Sequence, residues 1–125
     1  MVFKIHTSKK TMQIFTEISA SENLAPFILS KLSISMSIKS DEPLLPDDMK
    51  KDNLGLELNR QTITGEYDAL YKCLIEMFEK KHINDDDYFQ IYIKAHLDRG
   101  AKLLHSEYKY GRDFLIQLLK SDIGI

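Results

Sequence analysis

The sequence of 125 residues predicts an all-α protein of about five helices, with room for one short N-terminal strand. Apolar residues recur at the helical period along most of the chain. They make up 43% of it, which is enough to fill one core. Turn-forming and acidic residues interrupt this period mainly at residues 39–56. We therefore expect a single domain over residues 1–125, with an irregular acidic loop at 39–56.

The composition excludes some classes of protein. No apolar run is long enough to cross a bilayer, and the first residues lack the apolar core of a secretory signal. The single cysteine, Cys73, cannot form a disulfide within the chain, which suits a reducing compartment. We therefore expect a cytoplasmic protein with no membrane partner. A net charge of −2 argues against coating nucleic acid over the whole surface, but it leaves room for a local basic patch.

The N-terminal third predicts a strand and two helices. Residues 3–7 alternate apolar and polar side chains, as a short strand does. Ser8 is a good N-cap, and apolar residues at helical spacing continue from it to about Ser19. Pro26 suits the first position of a second helix. Residues 34–38 also alternate, which leaves a strand open there, but the longer apolar run around them favours the helix.

Residues 58–78 carry the most regular pattern of the chain. Six apolar side chains repeat at i, i+3, i+4, i+7, i+8 and i+11, which predicts a helix with one apolar stripe: Tyr67, Leu70, Tyr71, Leu74, Ile75 and Phe78. Thr64 is placed to cap this helix. Because Cys73 lies near the stripe, we expect a buried structural thiol, and redox or sulfur-carrying chemistry is the alternative.

Another long helix is predicted after Asn84, which can cap it. The three aspartates that follow complement the helix dipole, and this explains them better than a metal site does. Apolar residues lie on more than one face as far as Leu104, which indicates a central helix. Gly100 inside it costs about 1 kcal/mol relative to alanine, so we expect close approach of another helix or a local break. A last short helix over residues 114–119 should dock back.

Several segments carry a resemblance to a known family. NRQTITGEYDALYKCLI, then DDDYFQIYIKAHLDRG and EYKY, resemble the DNA sulfur modification family DndE. The N-terminal SKKTMQIFTEI and LAPFILSKLSISMSIK look like the start of that family too. The resemblance extends from about residue 4 to residue 119.

The resemblance implies an all-helical fold and a part in DNA phosphorothioation, in which sulfur replaces a non-bridging oxygen of the backbone. DndE-like proteins are the small, non-catalytic members of that system. The resemblance further implies a homo-oligomer that binds DNA, nicked duplex in particular. Its protein partners would be the other sulfur-modification proteins: a cysteine desulfurase, an iron–sulfur sulfurtransferase and an ATPase.

The residues themselves give no catalytic constellation. The four histidines do not fall four residues apart beside a glutamate: His6, His82, His96 and His105. His96 has apolar neighbours in the sequence and is predicted to be a core histidine. No glycine-rich phosphate loop is present. We therefore expect no enzyme activity, no cofactor and no metal.

Binding is what remains, and the placement of basic residues gives the candidates. Lys9 and Lys10 lie in the first turn of the first helix, where positive charge opposes the dipole unless phosphate offsets it. Lys31 and Lys39 lie two turns apart on the second helix. The remaining candidates are Arg60, which precedes the central helix, and Arg99, which has no acidic residue four positions away. Charge placement selects these DNA-binding candidates, and no family motif assigns them.

Two other functions are compatible with the sequence. The chain could be a protein–protein adaptor that assembles the sulfur-modification enzymes without touching DNA, through the apolar surplus on its second and fourth helices. A strand followed by two helices is also the plan of ribbon-helix-helix regulators. That regulator would require residues 3–7 to pair across a dimer, whereas packing of Phe3 and Ile5 on the core is the simpler interpretation.

Overall fold

The computed structural model describes residues 1–110, which are mainly helical and carry one small sheet. The helices are α1 (Lys9–Glu22), α2 (Pro26–Lys39), α3 (Arg60–Ile63), α4 (Asp68–Glu79), α5 (Asp85–Asp87) and α6 (Lys94–Tyr110). Two 3-10 turns, Pro46–Met49 and Gly65–Tyr67, and a π-helical segment, Tyr88–Ile93, complete the helical structure of this part. The predicted all-α class is confirmed. The helix predicted at residues 114–119 lies outside the described residues.

The start of α1 follows the sequence closely. The Ser8 hydroxyl accepts a hydrogen bond from the amide of Thr11, so the predicted N-cap is confirmed. The helix runs past Ser19 to Glu22 and ends at Asn23, whose φ of 55° is left-handed. Asparagine tolerates this conformation better than most residues do, which explains the position of the helix end.

The strand at the N-terminus has its partner inside the chain. β1 (Lys4–His6) pairs antiparallel with β2 (Glu57–Asn59), and Ile5 lies opposite Leu58. Both of these side chains are buried, whereas Phe3 is 65% exposed, so only Ile5 packs on the core as expected. The ribbon-helix-helix hypothesis loses its main support, because β1 is paired within one chain.

The core lies between α1, α2 and the helical run that leads into α6. Its fully buried large side chains include Phe15, Ile18, Leu29, Ile34, Tyr88, Phe89, Ile93, Leu97 and Leu104. The chain is helical throughout residues 26–39, so the strand alternative there is excluded. Most of the apolar surplus of α2 and α6 therefore serves the core.

Gly100 allows α6 to cross α2 at very short distance. A Cβ atom built on Gly100 would lie 1.6 Å from the carbonyl oxygen of Ser33. No side chain fits there, because the conflicting atom belongs to the backbone of α2. The close approach predicted from this glycine is confirmed.

The orientation of α4 differs from the sequence-based expectation. Tyr67, Leu70 and Leu74 are 58%, 55% and 42% exposed, and Ile75 is the buried side chain of this helix. Cys73 is exposed as well, so the expectation of a buried thiol is wrong. The helix begins at Asp68, with no side-chain cap. Thr64 does not cap it, because its hydroxyl donates to the Asp68 carboxylate at 2.6 Å.

The loop between α2 and β2 is irregular, as predicted, and hydrogen bonds from side chains of α6 hold it in place. Arg99 Nη1 donates to the carbonyl oxygens of Glu42 and Pro43 at 2.7 and 3.0 Å. Lys94 Nζ donates to the carbonyl oxygen of Asp52 at 2.9 Å. Within residues 1–110 no helix is both long and apolar enough to span a membrane.

Candidate nucleic-acid interface

Lys9 and Lys10 lie exposed in the first turn of α1, where the sequence predicts a phosphate contact. None of the residues of this turn is itself acidic. The amide of Lys9 donates to Asp52 Oδ1 at 2.9 Å, which brings the loop against the helix N-terminus. The helix dipole adds partial positive charge at this end. The Asp52 carboxylate therefore already occupies this helix end, and the two exposed lysines lie beside it.

Asp52 and Asp98 join the α1 N-terminus to α6. Asp98 is buried, and its Oδ1 accepts from the Ser8 amide at 3.1 Å and from the Thr11 hydroxyl at 2.7 Å. Its Oδ2 accepts from Lys94 Nζ at 2.6 Å. Asp98 therefore pairs with Lys94 inside the protein, and the surface pair with Lys102 that its spacing suggests is absent.

Lys102 instead stands beside Lys51 of the loop. The neighbouring Lys51 ammonium, followed by partial burial, lowers the pKa of Lys102, while Asp48 and Asp98 act in the opposite direction. The two ammonium groups repel each other, and a nearby anion would relieve the repulsion. Lys51 and Lys102 are therefore candidates for a phosphate contact, with Asp48 and Asp98 offsetting part of their positive charge.

Four lysines lie on elements that these contacts join, and we call them the basic cluster: Lys9 and Lys10 in the first turn of α1, Lys51 in the loop and Lys102 on α6. Lys51 precedes Asp52, the residue that bonds the Lys9 amide, and Lys102 approaches Lys51 from α6. A depression next to them is lined by Lys51, Asn53, Gln90, Lys94 and Asp48. The sequence analysis missed Lys51 and Lys102, since Lys51 stands in an acid-rich loop and Lys102 has a nearby aspartate in the sequence.

The other two candidate lysines lie on α2. Lys31 is half-buried, and its Nζ lies 5.6 Å from the ring centroid of Phe27. Lys39 is exposed in the last turn, beside a depression that it shares with Glu107 of α6. Their role as DNA contacts stays a prediction.

Arg60 has its partners inside the protein. It is 7% exposed, and its Nη2 donates to Asp68 Oδ2 at 2.6 Å and to Asp85 Oδ1 at 2.7 Å. Its Nη1 also donates to the carbonyl oxygen of Val2 at 3.1 Å. We leave Arg60 out of the proposed DNA surface, because its charge is already neutralised by two carboxylates.

The carboxylates around Arg60 are adapted to that role. Burial acts to raise the pKa of Asp68, but hydrogen bonds from Arg60, Thr64 and Tyr88 together hold it below its ordinary value. The hydrogen bond from Arg60 likewise lowers the pKa of Asp85. Both groups are thus held ionised, and the cluster joins α3, α4 and α5.

Arg99 is similarly engaged. Its Nε donates to the Ser37 hydroxyl at 2.8 Å, and its Nη2 donates to the Ser37 carbonyl oxygen at 2.9 Å. With the two loop carbonyls described above, four acceptors surround this guanidinium. Arg99 therefore fastens the loop to α2 and α6, and its use as a phosphate contact would break these bonds.

The histidines and the cysteine form no evident catalytic group. His96 is buried, its Nδ1 lies 2.8 Å from the Ser37 hydroxyl, and its Nε2 has no hydrogen-bond partner within the described residues. Burial, with a smaller effect of Arg99, lowers the pKa of His96 to about 4, so the ring is neutral near pH 7. Cys73 lines a shallow depression with Met77 and His82. Within residues 1–110 no cluster of three metal-ligating side chains occurs.

Comparison with known proteins gives a family and a fold. The family described as DNA sulphur modification protein DndE has a model that matches residues 4–111. The crystal structure of DndE from Escherichia coli B7A, involved in DNA phosphorothioation modification, matches with a TM-score of 0.64 and 19% identity, over 83% of this chain and 98% of that chain. A glycine-to-lysine mutant of DndE matches with a TM-score of 0.65 and 18% identity, over 82% and 97%. No curated protein matches the chain.

Proposed function

Because this chain belongs to the DndE family of DNA sulphur modification proteins, we propose that it is a non-catalytic, DNA-binding subunit of the DNA phosphorothioation system. In this role it would bind the duplex, nicked duplex in particular, through backbone phosphates. The chemistry of sulfur transfer would belong to its partners, a sulfurtransferase and an ATPase among them. Chromosomal DNA lies in the cytoplasm, so the protein would act there.

The basic cluster is the observation that supports this proposal. Lys51 and Lys102 lie near enough for their positive charges to act on each other, and Asp48 and Asp98 offset part of that charge. Lys9 and Lys10 add two more at the positive end of α1. A DNA phosphate placed among them would gain from each charge and would release counterions from the duplex.

Phosphate contacts give affinity and orientation without reading the base sequence. We therefore expect binding that depends on DNA structure and salt more than on sequence. One subunit has only a few lysines in its basic cluster. A homo-oligomer would repeat the cluster and so form a longer basic surface along a duplex. Lys31 and Lys39 of α2 would extend that surface in the oligomer.

The test is fluorescence anisotropy with intact duplex, nicked duplex and single strand, over a range of salt concentrations. We expect wild-type affinity to fall by about tenfold or more between low and physiological salt. We expect Lys9→Gln/Lys10→Gln to weaken duplex binding at every salt concentration. Lys4→Gln is the matched control, because Lys4 is an exposed lysine on β1, paired with Glu57 at 3.3 Å.

The results separate this proposal from the adaptor hypothesis. A loss in the control about half that in the double variant, in proportion to the charge removed, would mean that net charge, and not the basic cluster, governs binding. Absence of DNA binding together with salt-insensitive association with a sulfur-modification enzyme would favour the adaptor. Exposed apolar side chains such as Phe27 and Ile28, at the start of α2, would then be the first candidates for that contact.

A further inference from the structure

A polar depression opens between the loop and the helical run that leads into α6, and Lys51 of the basic cluster lines it. The loop also contributes Asp48, Met49 and Asn53. The opposite wall comes from the π-helical segment and the start of α6. The volume of the depression is about 200 Å³, whereas pockets that enclose a whole drug-sized ligand measure roughly 300–1,000 Å³. It therefore has room for one small group, such as a single planar ring system.

The helical wall of the depression presents two side chains that the π-helical segment turns outward. Tyr88–Ile93 buries four of its six side chains, and Gln90 and Ile91 are the two that it exposes. Single π-helical turns are rare, and they are frequently found at functional sites. The turn here places an amide and an apolar side chain next to each other on the wall of the depression.

Hydrogen bonds within the protein hold the loop wall in place. Lys94 Nζ donates to the Asp52 carbonyl oxygen at 2.9 Å, and Asp52 Oδ1 accepts from the Leu54 amide at 3.0 Å. The Gly55 amide donates to the Thr7 carbonyl oxygen at 2.8 Å. These bonds tie the loop to α6 on one side and to the residues before α1 on the other. The depression is therefore preorganised, which lowers the entropic cost of binding a ligand.

Several polar groups around the depression are available to a ligand. The side-chain amides of Asn53 and Gln90 have no hydrogen-bond partner within residues 1–110. Asp48 Oδ2 accepts from the Leu45 amide at 2.8 Å, and its Oδ1 has no partner in the same part of the chain. Each carboxamide can donate and accept, the carboxylate oxygen can only accept, and the Lys51 ammonium can only donate. A matching ligand must therefore carry both donors and acceptors.

A nucleobase has this chemistry, because its faces are apolar and its edge carries donors and acceptors. Met49 and Ile91 are 39% and 37% exposed and provide apolar surface for those faces. We infer that the depression receives one unpaired base of DNA, with the adjoining phosphate at Lys51. The inference rests on the proposed DNA-binding function and adds a base contact, which phosphate contacts alone do not supply.

The Asp48 carboxylate limits which base fits. Its free oxygen accepts a hydrogen bond, so it favours a base with an exocyclic amino group: adenine, cytosine or guanine. Thymine has carbonyl oxygens in place of that group, and the carboxylate would repel them. A base within an intact duplex is paired and stacked, whereas an unpaired base leaves the stack at a small cost in free energy. We therefore expect recognition of unpaired bases that carry an amino group.

Fluorescence anisotropy of the full chain with duplexes that carry one unpaired nucleotide tests this inference. The unpaired position holds adenine, cytosine, guanine, thymine or an abasic sugar, and the fully paired duplex is the reference. We expect the three amino bases to bind at least about tenfold more tightly than the abasic duplex, and thymine to bind like the abasic duplex. An unpaired 2-aminopurine gives a second readout, because its fluorescence changes when it leaves the stack and enters the depression.

Two amide removals locate the contact. Asn53→Ala/Gln90→Ala should lower the affinity for unpaired adenine to that for the abasic duplex. The matched control is Gln13→Ala/Gln61→Ala, which removes two exposed amides elsewhere and should keep the preference for adenine. Circular dichroism confirms that each variant is folded.

Asp48→Asn tests the choice of base. The amide oxygen of asparagine can still accept from the Leu45 amide, so the loop keeps its hydrogen bond. Its amino group can donate to a carbonyl oxygen of thymine. We therefore expect this variant to bind unpaired thymine about as tightly as unpaired adenine.

Several outcomes would overturn the inference. Equal binding of the adenine and abasic duplexes by the wild type would remove the base contact and leave the proposed DNA-binding role standing. An equal loss of preference in the amide variant and its control would also remove it. Free deoxyadenosine monophosphate that binds as tightly as the unpaired adenine would identify a free nucleotide, and not DNA, as the ligand. Absence of binding to every DNA would overturn both the inference and the proposed function.

Discussion

At the residue scale, burial separates the basic side chains that hold the fold from those available for a ligand. Arg60 and Lys9 both precede or begin a helix, yet Arg60 is buried with two carboxylates, and Lys9 is exposed. The sequence could not make this distinction, because Asp85 lies 25 residues from Arg60 and meets it only in the folded chain. Lys9 and Lys10 could be selected from the sequence, because the Ser8 cap places them in the first turn of a helix.

Arg60→Met should destabilise the fold strongly. Loss of the guanidinium leaves Asp68 and Asp85 without their main partner, which should lower the free energy of unfolding by about 2–3 kcal/mol. Urea denaturation measures this. Lys4→Met removes an exposed pair with Glu57 and should cost less than about 1 kcal/mol. An equally small effect of both changes would contradict a structural role for Arg60.

His96 should make stability depend on pH. Its folded pKa is lowered to about 4 by burial and by Arg99, so it stays neutral while the unfolded chain gains a proton below about pH 6.5. Stability therefore falls as the pH drops from 6.5 towards 4. Between pH 8 and pH 5 this one group should cost about 2 kcal/mol.

The comparison that isolates His96 is the wild type against His96→Leu, each measured at pH 8 and pH 5. The other three histidines are common to both proteins, so the difference between the two pH dependences reports His96. The leucine variant should lose less stability on acidification than the wild type. Identical pH dependences would contradict a buried neutral imidazole.

At the scale of elements, the sequence predicted that helices exist but not which way each one faces. The apolar period identified α4 correctly as a helix, and the Asn84 side chain does accept from the Asp87 amide at 2.9 Å. The direction of α4 depends on the bonds of Asp68 with Arg60 and Tyr88, which no local spacing encodes. Of the predicted stripe, Tyr71, Ile75 and Phe78 pack inward, whereas Tyr67, Leu70 and Leu74 are exposed.

Gly100→Ala should destabilise the packing of α6 on α2. Alanine gains about 1 kcal/mol of helix propensity, but its Cβ would meet the Ser33 carbonyl oxygen at 1.6 Å. The two backbones must move apart, so we expect a net loss of at least about 2 kcal/mol in the free energy of unfolding. Ser106→Ala, at an exposed position of the same helix, should be neutral or slightly stabilising. A stable Gly100→Ala variant would contradict the close crossing.

At the scale of the whole molecule, charge is distributed unevenly although the net charge is only −2. The loop at residues 40–56 carries most of the acidic excess, yet its Lys51 turns towards Lys102 of α6. Sequence order could not predict this meeting, because the two lysines are 51 positions apart. The all-α class and the family could be predicted from the sequence. Helical periodicity and the segments that resemble the family both extend over most of the chain.

The measurement that tests the DNA-binding account most directly is the slope of log affinity against log salt for duplex DNA. The comparison uses the wild type, Lys51→Gln/Lys102→Gln, and the variant that also carries Lys9→Gln and Lys10→Gln. Each lysine that contacts a phosphate contributes about 0.9 to the magnitude of the slope. Relative to the wild type, we therefore expect the magnitude to fall by about 2 in the double variant and by about 4 in the quadruple variant. An unchanged slope in both variants, with affinity retained, would contradict phosphate binding by the basic cluster.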